Sequence, residues 1–361
     1  MAKKKTGPSA FEKRFAKLQF GFEKRLKFYQ QLAALTRTGM PKNDALHMIY
    51  IVASKEGKKK KEALAVVVAD IIAGVENGDG FGQAIRPWVP IDDVMVLEAI
   101  ENSDNFPKFV DDYCEMLRGK KAIMGTVKGG LAYPIALLTA IYGLMYYFGA
   151  SVTPKIEPLL PIEEWTGPAA FLAFLNRFAN ELAAPITLAI IVVITLITLS
   201  LKRWVKHGRS YADMLPIYST YRMYTGISFM TSVSALIQGG MPVIGAVEKI
   251  LPMSPPYVKH RLKMVHRHML NGENFGAALY RTGTGWPDPE LNLSLKIFAE
   301  TSDLSQQLQR LAKDSLVTSQ QKIETSMSTI KSVTMVVVFG VILGIVGGMY
   351  GLQDLISQKL Q

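Results

Sequence analysis

The chain has 361 residues, 49% of them apolar and 20% charged, and its 41 Lys and Arg against 30 Asp and Glu give a formal net charge of +11. Those proportions suit an ordinary soluble protein, but three long windows without any charge exclude that class. The single cysteine, Cys114, excludes an intramolecular disulfide, a CxxC redox pair and a Cys-rich zinc site; most of the mass is expected in a reducing compartment.

In chain order, residues 1–27 form a basic N-terminal segment. Met-Ala-Lys-Lys-Lys is followed by charged sequence rather than an apolar stretch, so no cleavable signal peptide is expected. Phe11, Phe15, Leu18, Phe22 and Leu26 recur at spacings of four, three, four and four, which predicts one apolar face of a helix. Lys13, Arg14, Lys17, Lys24, Arg25 and Lys27 line its other face. Such a helix binds an anionic membrane surface, lies in a partner groove, or packs on the bundle that follows.

Residues 28–126 and 205–328 read as two helical bundles of about six helices each, with apolar positions at helical spacing, Asn, Asp, Gly and Pro punctuation, and no hairpin signal. Between Lys128 and Lys155 lie 26 uncharged residues, between Glu181 and Lys202 lie 20, and between Lys331 and Asp354 lie 22. Each exceeds the ~18 residues that an apolar helix needs to cross a bilayer, predicting membrane helices over 129–153, 183–201 and 332–353. Residues 154–182 are then a connecting loop and 354–361 a short tail.

Charge sets the orientation. Residues 1–130 hold 22 basic and 16 acidic groups (+6), 153–182 hold 2 and 4 (−2), 202–331 hold 16 and 9 (+7), and the tail holds one of each. Basic segments stay on the cytoplasmic side. Both bundles and the N-terminus are expected there, with the loop and C-terminus in the periplasm, and three crossings demand the same alternation.

The two bundles repeat one another. Phe28 to Gly39-Met40-Pro41 lies 201 residues before Phe229 to Gly240-Met241-Pro242. Asn77 to Ala84 matches Asn271 to Ala278 at 194, and Glu101-Asn102-Ser103-Asp104 matches Glu300-Thr301-Ser302-Asp303 at 199. The Lys-rich tract 55–62 absorbs the change of register. Two copies of a bundle followed by one exported span would leave the second bundle on the wrong side; the unpaired span at 183–201 brings the chain back.

These paired signatures, with Leu131-Ala132-Tyr133-Pro134-Ile135 at the first span, resemble the inner-membrane platform proteins, or F-proteins, of type II secretion systems and type IV pili, over residues 28–352. The acidic turns depart from the family's usual acidic-Ser-Gly, and the Lys-rich insertion is extra; the short N-terminus and the divergent turns look closer to type IVb or plasmid-encoded conjugative pili than to general secretion. The resemblance implies an all-α polytopic membrane protein with two repeated cytoplasmic helical bundles and three transmembrane helices. It also implies a non-enzymatic scaffold that couples a hexameric cytoplasmic ATPase to pilin or pseudopilin polymerisation, contacts inner-membrane alignment proteins, and is a homo-oligomer without cofactor. An oligomeric transporter or channel, or a membrane adaptor for another ATPase, are the rival readings.

Candidate contact or motif residues are Phe11, Arg14, Phe15, Phe22 and Arg25 on the N-terminal helix; Gly39, Pro41, Gly240 and Pro242 at the repeated corner; and Glu101, Asp104, Glu300 and Asp303 at the acidic turns. Gly340, Gly344 and Gly348 complete the set, as a strip on the third span that lets another helix approach closely. Asp104 and Asp303 suit helix N-caps, and the resemblance adds a divalent-cation or partner role for the acidic turns. Pro41 and Pro242 suit helix starts. No G-x-x-x-x-G-K-[ST] cradle is present. Gly78 to Gly82 follows a helical stretch rather than a strand, and reads as a cap and turn. His260, His266 and His268 lack metal-ligand spacing, and Lys58–Lys61 lacks the aromatic interleaving of a nucleic-acid site, so no nucleic-acid partner is expected.

Overall fold

The computed structural model describes residues 10–205, 208–298 and 304–359, and among these every regular element is helical. In chain order they are α1 (Ala10–Gln19), α2 (Phe22–Arg37), α3 (Lys42–Ala53), α4 (Ala63–Glu76), α5 (Phe81–Ile85), α6 (Ile91–Ile100) and α7 (Phe106–Tyr147). A π-helical turn (Phe148–Val152) leads to α8 (Thr153–Ile156), α9 (Ala170–Arg177), a second π turn (Phe178–Leu182) and α10 (Ala183–Arg203). There follow α11 (Arg209–Ala212), α12 (Pro216–Gln238), α13 (Val243–Ile250), α14 (Pro256–Leu270), α15 (Phe275–Arg281), α16 (Pro289–Phe298) and α17 (Leu304–Lys359). The chain divides into two compact units, one from Met1–Ala122 with Val205–Ser319 and one from Ile123–Trp204 with Gln320–Gln361.

The first unit holds the duplicated bundles as two lobes of matching helix order, α2 to α6 and α12 to α16. Their cores are built from corresponding positions. Leu26, Phe28 and Leu32 are buried on α2, as are Ile227, Phe229 and Val233 on α12. Ala45, Leu46 and Ile49 match Ala246, Val247 and Ile250, and Phe81, Ala84 and Ile85 match Phe275, Ala278 and Leu279. Burying each large apolar side chain of these contributes roughly 1.5–3 kcal/mol, so conserved spacing of apolar residues is enough to fold both copies alike. The lobes join inside this unit through α12, which packs against α6 and sends Ala235 into the core of the first lobe.

The Lys-rich insertion is a turn after α3 in which Lys55, Glu56 and Gly57 all take left-handed backbone angles. The hydroxyl of buried Ser54 accepts from the Gly57 amide at 3.0 Å, and Lys61 pairs with Glu12 of α1. The second lobe replaces this turn with a short 3-10 turn, Leu251–Met253. That difference is the seven-residue register change.

The second unit contains most of the apolar lengths. Three helical stretches, Phe106–Ile156, Gly167–Arg203 and Gln306–Lys359, are long and apolar enough to cross a membrane. Their apolar side chains, such as Leu188, Ile191, Val336 and Phe339, are exposed, as lipid-facing residues must be. The Tyr142 hydroxyl donates to the Ala183 carbonyl at 2.7 Å and lies 2.7 Å from the Thr187 hydroxyl, fastening α7 to α10 without a charge. In hydrocarbon, where water cannot compete, that satisfied polar link is a sound way to join two helices.

Residues 154–182 differ from the expected loop. Pro158, Pro161, Gly167 and Pro168 mark turns in the sequence, but the turns return the chain onto a small core of Leu160, Trp165, Ala169, Leu172 and Leu175 with Ile345 and Leu352 of α17. The Trp165 indole N–H donates to the Leu160 carbonyl at 2.9 Å. The apolar side chains behind the punctuation pay for ordering it.

Candidate interaction surfaces

The N-terminal helix is two helices rather than one. Gly21 takes an extended backbone between α1 and α2, and Phe20 turns inward to meet the Phe28 ring edge-on at 6.1 Å. The rotation at this break buries Ala16 and Phe20 and leaves Phe11, Phe15 and Leu18 exposed. The boundary drawn at residue 27 falls inside α2. Phe11, Arg14 and Phe15 therefore share an open surface, whereas Phe22 is half-buried beneath the Arg25 and Lys121 cations at 5.7 and 5.0 Å. Arg25 is committed inward, pairing with Asp93 at 2.9 Å.

The repeated corner is reproduced in detail. Gly39 and Gly240 have φ of +87° and +86°, a left-handed conformation that a side chain resists. Pro41 and Pro242 sit at the N-caps of α3 and α13. All four are exposed, so the corner's role is to turn the chain, and it presents that turn on the surface of each lobe.

At the first acidic turn, Glu101 reaches back to α5, where its Oε2 accepts from the Gly82 amide at 2.9 Å, neutralising a free donor at a helix start. Gly80 has no room for a side chain there, since a Cβ would lie 2.8 Å from Glu101 Oε1. The acceptor at the start of α7 is Ser103, whose hydroxyl takes the Asn105 amide at 3.3 Å, rather than Asp104, which is exposed. Glu300 and Asp303 lie outside the described residues. No group of three or more His, Cys, Asp or Glu side chains placed to hold a metal ion occurs among the described residues.

The glycine strip of α17 is divided. A Cβ on Gly344 would lie 2.8 Å from the Phe171 ring, and one on Gly348 2.8 Å from Leu172, so both glycines receive α9. Gly340 has nothing within 4 Å and stays open.

Sequence reasoning missed two buried charge clusters, one in each lobe. Asp93 on α6 accepts from the Tyr29 hydroxyl at 2.7 Å and the Tyr113 hydroxyl at 2.9 Å, besides its Arg25 partner. Burial pushes the Asp93 carboxyl above the usual carboxylate range, against the pull of Arg25 and the two hydroxyls, and burial drives the Tyr29 phenol well up as well. In the second lobe Asp213 accepts from Arg209 Nε at 2.9 Å, Arg261 Nη2 at 2.9 Å and the Tyr257 hydroxyl at 3.0 Å. Both guanidiniums lie over the Tyr257 ring, at 4.3 and 3.8 Å. Neither cluster stands out in the sequence, because the partners of Asp93 are 20 to 68 residues from it, and in the second cluster only Arg209 is local to Asp213, with Arg261 48 residues away. A further repeat also went unseen: Trp88 and Trp286, both buried, donate from their indoles to Asp70 and Thr225 at 3.1 and 3.2 Å.

These features form joints and surfaces: paired lobes, buried ion clusters fixing helices, and apolar faces left open. The family model of type II secretion system protein F matches residues 28–154 and 229–351, the two segments that each contain a lobe and the apolar length after it. The toxin coregulated pilus biosynthesis protein E of Vibrio cholerae serotype O1 is 19% identical over 345 residues, covering 93% of this chain and 98% of that protein. Duplicated helical lobes, three apolar spans and a family match repeated once per lobe make this chain a member of the type II secretion system protein F family, an inner-membrane protein of secretion and pilus machinery.

Proposed function

We propose that this chain is the non-enzymatic platform on which a cytoplasmic hexameric ATPase drives pilin or pseudopilin subunits from the bilayer into a filament. The observation that supports this best is that each copied lobe feeds a single long helix into an apolar span. α7 has 42 residues and α17 has 56, about 63 and 84 Å of helix at 1.5 Å per residue. A helix of that kind carries a twist or push from water to lipid, which suits a mechanical part, and Pro134 within α7 supplies a bend point. The relative named for pilus biosynthesis supports a pilus rather than an unrelated membrane system. In this reading both lobes and the N-terminus are cytoplasmic, the 154–182 cap and the C-terminus are periplasmic, and the exposed Phe11, Arg14 and Phe15 face meets the ATPase or an alignment protein.

Affinity purification of the full-length chain from its own membranes in mild detergent tests this. Recovery of a hexameric ATPase together with a pilin-like subunit is expected. Recovery of neither, with solute flux through proteoliposomes holding the chain alone, would replace the platform by a transporter.

A further inference from the structure

The duplication leaves an unmatched pair of surfaces. Inside the first unit, α6 of lobe one is covered by α12 and α13 of lobe two. Met95 and Val96 are buried there, a Cβ on Gly239 would stand 2.1 Å from the Ala99 carbonyl oxygen, and Lys249 pairs with Glu98 at 3.0 Å. Lobe two has its own counterpart of α6, and lobe one its own counterparts of α12 and α13.

The register between them is fixed by glycine contacts. A Cβ on Gly82 would meet Glu98, its amide nitrogen at 3.0 Å, and a Cβ on the matching Gly276 would meet Leu295 and the Lys296 amide nitrogen at 2.8 Å. Glu98 therefore corresponds to Lys296, Met95 to Leu293 and Ala99 to Ile297; Leu97 and Leu295, both fully buried, agree. Met95 is 4% exposed, whereas Leu293 and Ile297 are 50% and 65% exposed. On the other side, the 201-residue repeat that aligns Ala45, Leu46 and Ile49 with Ala246, Val247 and Ile250 places Met48 at the position of Lys249. Met48, Ile51 and Val52 on α3 are likewise exposed.

We propose that these two open faces meet between copies of this chain: α16 of one copy, through Leu293 and Ile297, docks on the α2–α3 face of the next, through Met48, Ile51 and Val52. The contact repeats between molecules the one that the two lobes make within a molecule. It is not identical. Thr38 stands where Gly239 stands and Ile297 where Ala99 stands, so the closest helix approach of the internal joint is blocked. The wider gap is filled by larger apolar side chains, and the Lys249–Glu98 ion pair is replaced by Met48 beside the stem of Lys296. The two faces differ, so the association is head-to-tail; every copy has both faces satisfied only when the copies close into a ring, of which a pair is the smallest.

Cross-linking between two differently tagged full-length chains in one membrane tests this. One chain carries Met48→Cys and the other Ile297→Cys; Cys114 is buried and stays in place, and chains with Cys114 alone serve as the blank. Oxidation is expected to give a product with both tags as the main species, and little product from either variant alone. Like-with-like products only, or no mixed product above the blank, overturn the proposal. Separately, Leu293→Glu with Ile297→Glu is expected to weaken self-association roughly tenfold or more in nanodisc or detergent mass measurements, with melting temperature held because both side chains are at the surface. An unchanged mass distribution, or these positions covered by a different protein in the purified complex, also overturns it.

Discussion

At the scale of single residues, the buried Asp93 cluster is the most demanding element of the first lobe. Removing one member of a buried ion pair leaves the rest without partners, so Asp93→Ala is expected to lower stability by about 3 kcal/mol, read from thermal or denaturant unfolding of the solubilised chain. Its pH behaviour has a definite sign. Burial raises the folded carboxyl above its unfolded value of 3.8, so the share of stability that Asp93 contributes is full below that value and fades as pH rises through the folded pKa. The stability gap between wild type and Asp93→Asn is expected to narrow on going from about pH 4 to 7; a gap that widens would mean the ion pair outweighs the burial. Gly39→Ala and Gly240→Ala offer a matched pair. Neither position has an atom within 4 Å of a new Cβ, so each is expected to cost only the left-handed backbone strain, about 1–2 kcal/mol, and the two costs should agree if the lobes are equivalent.

At the scale of elements, Gly82 and Gly276 report how tightly the copies are built. In each lobe a Cβ would strike the facing α6 or α16, at 2.5 Å from Glu98 Cβ and 2.0 Å from the Leu295 carbonyl oxygen. Since backbone cannot move aside cheaply, Gly82→Ala and Gly276→Ala are each expected to cost about 2–3 kcal/mol, with Gly276→Ala the worse, measured by the same unfolding assay. Much of this order was legible in sequence. The Gly-Met-Pro corner and the Asn-Gly turn survive in both copies because left-handed backbone needs glycine, and lack of charge marks the spans because charge is costly in lipid. What was not legible depended on distant chain. A helical spacing carried through Gly21 hid the break between α1 and α2, proline punctuation hid the apolar cap over residues 154–182, and the changed neighbours of Trp88 and Trp286 hid that pairing. Asp93 sits in an apolar run and its tyrosine partners come from other helices, so no local pattern announces it.

At the scale of the whole molecule, one relation organises the rest: two lobes made from a repeated module lie in a single compact unit, and an additional apolar span separates their sequences. In the platform reading the unpaired span returns the second lobe to the side of the first, where one motor can act on both. The charge distribution agrees, with +6 and +7 around the lobes and −2 on the intervening segment. The most direct measurement is cysteine accessibility in sealed inner-membrane vesicles of known orientation, using a membrane-impermeant maleimide and exposed positions in each lobe and in the cap, such as Lys108, Lys263 and Glu163. The account predicts that Lys108→Cys and Lys263→Cys react only from the cytoplasmic face and Glu163→Cys only from the opposite one. Labelling of the two lobes from opposite faces would contradict it.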